Sequence, residues 1–316
     1  MFAHKKRTGL KITLIVLFVL MTGIGIYLFK VYSSFTEAVD MMYMPIREKS
    51  DKRIEKIELR QSDPFSVLLL GVDQWEGDRG RSDTMIIMAV NPNNESIEMV
   101  SIPRDTRTEI IGKGFEDKIN HAFAYGGVEM SINTVENFLD IPIDYFIQIN
   151  LEGFEEIVDA VGGVTVQNDL EFTYGGVHFP LGEITLNGEE ALIYSRMRSR
   201  DPRGDFGRQK RQRSVIEAII RKGASFNTLA NFDHIFQALG KNIKTNLSID
   251  QILDIQQNYK QAANHITQHQ IDGSGKMIDG IYYYIVPEEE KLSIQGILKE
   301  QLEIIGLAKT DDDTEG

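Results

Sequence analysis

Hydrophobic and polar positions divide the chain into one long apolar segment near its beginning and many shorter ones after it. The long segment, Ile12–Phe29, holds no charged residue and lies between a basic cluster at residues 5–11 and Lys30. A helix rises about 1.5 Å per residue, so these 18 residues nearly cross the hydrocarbon core of a bilayer. The pattern predicts a transmembrane helix over residues 12–30.

The residues that flank this helix indicate how it is used. Its last residues, Tyr27–Lys30, make a poor cleavage site, which favours a signal anchor over a cleaved signal peptide. Basic residues stay on the cytoplasmic side of a membrane, so residues 1–11 form a cytoplasmic tail and the rest of the chain is exported. The sequence therefore predicts a single-pass, type II protein of the cell membrane, with its folded domain on the extracellular side.

Beyond residue 62, short apolar runs alternate with segments of helical periodicity. The runs typical of buried strands cover 65–72, 84–90, 96–102, 145–149, 164–166 and 282–286. The segments typical of helices cover 131–139, 151–161, 187–197, 208–222, 227–239 and 249–263. This alternation predicts an α/β fold, specifically a layered α/β/α domain with a mixed central sheet.

Changes in composition mark the boundaries of this domain. A polar segment over residues 31–62 is typical of an extracytoplasmic stalk, with a helix compatible with its part near residues 47–60. The folded domain covers residues 63–309 and contains no internal repeat. An acidic tail at residues 310–316 is expected to be disordered.

Charge and cysteine content exclude several classes of protein. The chain carries a formal charge of −13, to which residues 1–30 contribute five basic residues and no acidic one, so residues 31–316 carry −18. A domain this acidic is unsuited to nonspecific binding of nucleic acid or of an anionic membrane surface. With no cysteine, the chain has neither disulfides nor thiolate metal ligands. A basic cluster on this background therefore needs an explanation.

Two polar segments adjoin predicted strands, at the ends where α/β folds place their sites. Asp73 comes after the first strand, and Arg81 and Asp83 come just before the second. Two carboxylates in this position suit a hard cation such as Mg²⁺, although a solvated loop has the same composition. Arg104 and Asp105 follow the third strand, where an internal salt bridge is the alternative interpretation.

The strongest signal is a basic cluster over residues 196–213. It contains eight Lys or Arg residues among 18, opposed by two aspartates. Arg208 and Arg211 open the helix predicted at 208–222, where cations oppose the helix dipole at a cost of up to about 1 kcal/mol each. They share a face with apolar residues of that helix, so they point inward, where a bound anion would offset the cost. The alternative is a solvated basic face.

These segments carry a family resemblance. The matching stretches run in order from about residue 65 to 222, and they are specific together although each is short. They are Leu69–Asp73, Arg81–Thr84, Ser101–Thr106, Lys118–Asn120, Tyr125–Gly127, Ile141–Tyr145, Asp159–Val164, Leu186–Leu192, Tyr194–Arg198 and Asp201–Gln212. On these motifs the chain resembles the LytR–CpsA–Psr family of cell-wall enzymes, and residues 223–316 match only loosely.

The resemblance implies a function. Such enzymes are phosphotransferases that move an anionic glycopolymer from an undecaprenyl-diphosphate carrier to peptidoglycan, and in a Gram-positive envelope the expected polymer is wall teichoic acid. The implied cofactor is Mg²⁺ or Mn²⁺. The implied partners are the lipid-linked polymer, peptidoglycan and membrane lipid, with no nucleic acid. The polyprenyl tail would need a long apolar groove, which we expect between the sheet and the helices.

The resemblance also implies roles for individual residues. The expected catalytic residues, which surround the diphosphate, are Asp73, Arg81, Asp83, Arg104, Asp105 and Arg198. The expected substrate-binding residues are Arg196, Asp205, Arg208, Arg211 and Gln212. Asp73 and Asp83 are the expected metal ligands, and both Asp83 and Asp105 are candidates for the general base.

Two other functions stay open on the residues alone. If water replaces the sugar hydroxyl as acceptor, the same site hydrolyses the lipid, and the protein is a polyprenyl-diphosphate phosphatase. A non-catalytic envelope regulator would bind anionic polymer without turnover. A cytoplasmic transcription regulator conflicts with the predicted topology and with the charge of −18 beyond residue 30.

Overall fold

The fold is built on a central sheet, described by a computed structural model of residues 3–73, 80–225, 240 and 242–304. The strands are β1 (Phe65–Asp73), β2 (Arg81–Asn91), β3 (Ser96–Ser101), β4 (Arg107–Ile110), β5 (Phe115–Lys118), β6 (Tyr145–Ile149), β7 (Val164–Asn168), β8 (Phe172–Tyr174), β9 (Val177–Phe179), β10 (Gly182–Leu186), β11 (Ile243–Thr245), β12 (His265–Gln270), β13 (Ser274–Ile278) and β14 (Ile281–Ile285). The helices are α1 (Ala3–Met42), α2 (His121–Leu139), α3 (Leu151–Ala160), α4 (Gly188–Arg196), α5 (Asp205–Ser225), α6 (Ile249–Asn258) and α7 (Glu288–Gln301), with 3₁₀ turns at Leu59–Gln61 and Lys260–Asn264.

The central sheet has the strand order β11-β6-β1-β2-β3-β12. β1 pairs in parallel with β6 and antiparallel with β2, and β12 pairs in parallel with β3. This mixture of directions confirms the predicted mixed sheet. β1 lies in the interior of the sheet, where both faces are covered, and this explains its unbroken apolar run, in which Leu68 and Leu70 are fully buried.

Helices cover both faces of the central sheet. On one face, Val135 of α2 and Leu298 of α7 share a core with Leu70 of β1. On the other face, Ile216 of α5 and residues of α6 share a core with Met99 of β3. Each large apolar side chain buried in this way contributes roughly 1.5–3 kcal/mol. The three layers confirm the predicted α/β/α arrangement.

Where elements differ from the predicted ones, the differences have physical reasons. α2 begins at His121 rather than at residue 131, because Gly126 and Gly127 leave helical geometry and interrupt the apolar periodicity. The polar edge strand β12 lacks the apolar pattern on which the prediction depended. The helix predicted at 227–239 and the acidic tail at 310–316 lie outside the described residues.

α1 is a single helix of 40 residues that includes the predicted transmembrane segment. Its large apolar side chains from Leu14 to Tyr27 are exposed. Over the described part of the chain, no helix combines the length and the apolarity that a membrane span requires.

The end of α1 and the segment after it pack on the domain. Val39 and Met42 are buried and share a core with apolar residues of β6 and β11. Further on, Arg53 Nη2 lies 2.7 Å from Asp144 Oδ2, and both side chains are buried. Residues 44–58 make such contacts without regular secondary structure. The segment predicted to be a stalk is therefore in contact with the domain from Val39 onward.

Candidate active site

A cavity of about 510 Å³ lies on the α5 face of the sheet, at the carboxyl ends of β1 and β6. Its polar lining gathers around β1, β2 and α4 and consists of Asp73, Asp83, Thr84, Arg104, Asn150, Ser195, Arg196, Arg198, Ser199, Arg208 and Gln212. Its apolar lining extends toward β6 and β11 and includes Leu69, Met88, Ile147, Ile149, Phe154, Ile157, Ile216, Ile219, Ile220 and Ile243. Such a division suits a ligand with an anionic head and an apolar tail.

A β-bulge between β1 and β2 presents the two aspartates. Gly71 pairs with Thr84, but the next residue of β1 pairs with Ser82, which leaves Asp83 as the extra residue. A bulge turns a side chain away from the regular pleat, and Asp83 lines the cavity together with Asp73. Glycine is required at position 71, because a Cβ there would lie 2.9 Å from the Cβ of Thr84.

Arg104 and Asn120 hold the carboxylate of Asp83. Arg104 Nη1 lies 2.9 Å from Asp83 Oδ2, and Asn120 Nδ2 donates to Asp83 Oδ1 at 3.2 Å. Burial acts to lower the pKa of Arg104, but the charges of Asp83 and other aspartates raise it. Asp105 is paired with Lys118 at 2.7 Å and does not line the cavity. Of the two candidates for the general base, the structure brings only Asp83 to the cavity.

Three further arginines line the polar part of the cavity. Arg196 and Arg198 have no ion-pair partner in the part of the chain that the structure describes. Arg208 Nη2 lies 2.7 Å from Asp205 Oδ1. Even so, burial and the charges of Arg104 and Arg198 lower the pKa of Arg208. An anionic ligand would relieve this concentration of positive charge.

Two buried hydrogen-bond donors also favour an anionic ligand. Arg104 Nε and Arg208 Nε are buried and donate to no acceptor within the described ranges. A buried N–H group without an acceptor costs about 1–3 kcal/mol. Both arginines line the cavity, so a phosphate group bound there would bring acceptor oxygens close to their guanidinium groups.

Arg211 lies outside the cavity, although it points inward as predicted. Its side chain is 2% exposed, and Arg211 Nη1 lies 2.6 Å from Asp201 Oδ2, which is fully buried. The guanidinium also donates to the carbonyl oxygens of Tyr194 and Met197 at the end of α4. Because α5 begins at Asp205, Arg211 lies in the second turn of the helix and not in the first. The structure thus gives Arg211 the role of joining α4 to α5.

Three other predicted residues also lie outside the cavity lining, namely Arg81, Asp105 and Asp205. Asp205 pairs with Arg208 and accepts from Gln209 Nε2 at 2.9 Å, so it acts on the cavity through the charges of its arginines and not as part of the lining. Arg81 is exposed opposite Asp73 on the paired strands. The predicted residues that the structure does bring together are Asp73, Asp83, Arg104, Arg196, Arg198, Arg208 and Gln212.

The residues present fit a divalent cation that arrives with phosphate. The side chain of Asp73 has no hydrogen-bond or ion-pair partner among the described residues, and Asp73 lines the same cavity as Asp83. Within those residues, no group of three or more acidic or histidine side chains could hold a metal by itself. Mg²⁺ often binds through one or two carboxylates together with substrate phosphates. Asp73 and Asp83 are the residues that would hold it.

Two parts of this site are not predictable from the sequence residue by residue. The polar residue Asn120 was matched only as part of a motif, and its contact with Asp83 depends on the tertiary fold. The apolar lining was expected between sheet and helices without named residues. The available signal was the apolar face of α5, where Ile216, Ile219 and Ile220 reach the cavity. Apolar residues that line a cavity and those that fill a core have the same pattern in a sequence.

The fold and the cavity together define a class of protein. A mixed α/β/α domain in which one cavity joins an arginine-rich mouth to an apolar interior is suited to chemistry on a lipid-linked phosphate. The profile of the LytR_cpsA_psr family matches residues 28–300, so the chain belongs to this family.

Individual relatives are similar to this chain over most of its length. The polyisoprenyl-teichoic acid–peptidoglycan teichoic acid transferase TagU of Bacillus subtilis (strain 168) is 50% identical over 299 residues, which are 95% of this chain and 97% of the relative. The crystal structure of B. subtilis TagU is 51% identical, with a TM-score of 0.63 over 76% of this chain and 97% of that one. A structure of TagT bound to LIIa-WTA is 33% identical, with a TM-score of 0.73 over 83% of this chain and 99% of that one.

Proposed function

We propose that this chain transfers wall teichoic acid, an anionic glycopolymer, from a polyisoprenyl-diphosphate carrier to peptidoglycan. The observation that carries the proposal is one cavity with four arginines at its polar part and an apolar interior. The names of relatives support the reaction, since TagU of B. subtilis is named a polyisoprenyl-teichoic acid–peptidoglycan teichoic acid transferase. The TagT structure bound to LIIa-WTA supports the ligand class.

The reaction in this proposal is a phosphoryl transfer. A sugar hydroxyl of the acceptor attacks the phosphorus nearest the polymer, and a new O–P bond forms. The bond from that phosphorus to the bridging oxygen breaks, and polyprenyl phosphate leaves with the electron pair. Asp83 takes the proton of the hydroxyl, because it is the candidate base that lines the cavity.

The charged residues around the diphosphate supply electrostatic stabilisation. Arg104, Arg196, Arg198 and Arg208 surround the place where negative charge develops on the phosphoryl oxygens. A divalent cation bound to Asp73 and Asp83 would act as a Lewis acid on the same oxygens. Because Arg104 is already fixed by Asp83, little reorganisation is needed when the substrate binds.

The apolar interior would hold the first isoprene units of the carrier. The residues along it are aliphatic apart from Phe154 and Tyr174, and each buried CH₂ group contributes about 0.8 kcal/mol. Only part of a long polyprenyl chain fits in a volume of about 510 Å³. The remainder of the tail would stay in the membrane.

We also place the domain outside the cell, anchored by α1 as a type II segment. The basic cluster at residues 5–11 supports this orientation, and the exposed apolar side chains from Leu14 to Tyr27 support the anchor. An anchored enzyme meets its lipid carrier at a high effective concentration.

The test uses the purified chain with a synthetic polyprenyl-diphosphate-linked sugar, Mg²⁺ and peptidoglycan fragments. We expect sugar to become attached to the glycan, and we expect Asp73→Ala and Arg198→Ala to lower the rate by about 100-fold or more. Arg200→Ala is a matched control, because Arg200 lies in the same basic cluster but donates to Thr173 O at 2.6 Å and does not line the cavity.

The same assay separates the other functions. Hydrolysis of the lipid at an equal rate with and without peptidoglycan would make the protein a phosphatase. Binding without turnover would make it a non-catalytic regulator. Full activity after removal of divalent cations with a chelator would contradict the proposed metal site and leave the transfer reaction intact.

A further inference from the structure

An aromatic surface adjoins the charged mouth of the cavity and takes no part in the chemistry above. We define this aromatic platform by the exposed rings of Phe115 and Tyr125, together with Asp117, His121 and the buried Tyr283. Phe115 and Tyr125 are 47% and 37% exposed, and their rings meet edge to face with centroids 5.8 Å apart. Exposed aromatic rings that lie side by side mark surfaces that bind other molecules.

The carboxylate of Asp117 fixes the geometry of the platform. It accepts hydrogen bonds from Tyr125 Oη at 2.7 Å and Tyr283 Oη at 3.3 Å, and His121 Nδ1 lies 2.7 Å from it. Burial acts to raise the pKa of Asp117, but the hydrogen bonds from His121 and Tyr125 hold it below its ordinary value. A surface held in this way loses little conformational entropy when a ligand binds.

One short segment of the chain links the platform to the reacting centre. Within residues 117–121, Lys118 Nζ lies 2.7 Å from Asp105 Oδ1, and Asn120 Nδ2 donates to Asp83 Oδ1 at 3.2 Å. Asp117 and His121, at the two ends of this segment, belong to the platform. The hydrogen bond to Asp117 raises the pKa of Tyr125, and the charge of Arg81 acts against this shift. The segment that contacts the carboxylate of Asp83 through Asn120 therefore also carries two residues of the platform, Asp117 and His121.

The chemistry of the platform favours a sugar as its ligand. A pyranose ring has an apolar C–H face, which suits an aromatic ring, and a rim of polar groups, which suits fixed hydroxyls and nearby cations. Such a cation is present, since Lys113 Nζ lies 5.5 Å from the centroid of Tyr125. Arg107, which lies near Tyr283, is already paired with Glu116. A lipid surface is a poorer occupant, because it would surround the ionised carboxylate of Asp117 with hydrocarbon.

We propose that the aromatic platform binds the amino-sugar strand of the acceptor and so brings a sugar hydroxyl to Asp83. This inference rests on the proposed transfer reaction and adds the place from which the second substrate approaches. The donor enters the cavity with its tail in the apolar interior, and the acceptor lies outside the mouth on Phe115 and Tyr125.

A binding experiment tests the platform without turnover. The full chain is titrated by calorimetry with a neutral probe, a β-1,4-linked oligosaccharide of N-acetylglucosamine. We expect Tyr125→Ala to weaken binding about tenfold or more. Tyr125→Phe keeps the ring and loses the hydrogen bond to Asp117, so its affinity should lie between those of wild type and Tyr125→Ala. Tyr43→Ala is the matched control, because Tyr43 is 44% exposed and lies at the end of α1, beside β11.

Transfer kinetics give a second readout. Tyr125→Ala is expected to raise the KM for the acceptor about tenfold, with the KM for the lipid donor unchanged. A wild-type chain that does not bind the oligosaccharide, or a Tyr125→Ala variant that binds it as well as wild type, overturns the platform. A Tyr125→Ala variant that still binds the oligosaccharide but no longer binds anionic vesicles also overturns it, because the platform would then bind lipid. If the probe binds through Tyr125 but no sugar is ever transferred, the proposed function fails and the glycan site stands.

Discussion

At the scale of residues, charged side chains of this protein fall into two groups with different roles. Arg196 and Arg198 face the cavity without ion-pair partners among the described residues, so their charge is available to a ligand. Arg211 is buried and neutralised by Asp201, so its charge is used within the fold. Both kinds occur within one basic cluster of 18 residues, which is why sequence analysis treated them alike.

Neutralising Asp201 tests the structural role of the buried pair. Asp201→Asn is expected to lower the free energy of unfolding by about 3 kcal/mol, because it leaves the buried guanidinium of Arg211 without a counterion. Asp169→Asn is the control, since Asp169 also pairs with Arg203 but is 38% exposed, and it should cost less than about 1 kcal/mol. Chemical denaturation measures both. Equal effects of the two variants would contradict the distinction drawn here.

The same aspartate predicts a loss of stability in acid. Burial acts to raise the pKa of Asp201, but hydrogen bonds from Arg203 and Arg211 lower it to about 2, from an ordinary value of 3.8. Its contribution is therefore complete above about pH 4 and is lost as the pH falls through about 2, with a size of roughly 2 kcal/mol. Between pH 5 and pH 2, the free energy of unfolding should fall more steeply for wild type than for Asp201→Asn, and denaturation at several pH values measures this.

At the scale of elements, the bulge between β1 and β2 sets the geometry of the site. It inserts Asp83 opposite a regular strand, and the close approach of Gly71 and Thr84 holds the two strands together at that point. The bulge is a property of strand pairing, so neither the extra residue nor its direction follows from periodicity. The strand positions themselves do follow from it, because β1 and β2 are long apolar runs.

Adding a methyl group at Gly71 should displace this bulge. Gly71→Ala is expected to lower the free energy of unfolding by roughly 1–3 kcal/mol through overpacking against Thr84, and to lower the transfer rate as Asp83 moves. The double variant Gly71→Ala/Thr84→Gly removes the clash. Adding Gly71→Ala to Thr84→Gly should therefore lower the transfer rate less than adding it to wild type. A Gly71→Ala variant with wild-type rate and stability would show that the strands separate at no cost.

At the scale of the whole molecule, the layered α/β/α domain was predictable and its small additions were not. Apolar runs and helical periodicity are long in the core, so elements such as β1, β6 and α3 agree with the predicted positions. The hairpins β4–β5 and β8–β9 are short and partly exposed, so they carry little periodic signal. Of the hairpin β13–β14, the strand β14 agrees with the run predicted at 282–286 and only β13 was not predicted. Phe115 and Asp117 of the platform belong to β5, so periodicity alone does not indicate the platform.

The segment between α1 and β1 is expected to be necessary for folding. A chain that begins at residue 31 keeps Val39, Met42 and Arg53, and it should melt within a few degrees of the full chain. A chain that begins at residue 64 loses these side chains and leaves Asp144 buried without its arginine, at a cost of about 3–5 kcal/mol for the broken pair alone. Thermal melting of both chains tests this, and similar melting temperatures would show that the segment only bridges two parts of the protein.

The packing of α1 on the domain has a mechanical consequence. Val39 and Met42 share a core with Ile149 and Ile243, and both isoleucines also form part of the cavity wall. The position of the end of α1 and the shape of this wall are therefore coupled through direct side-chain contacts, and a displacement of one would change the other.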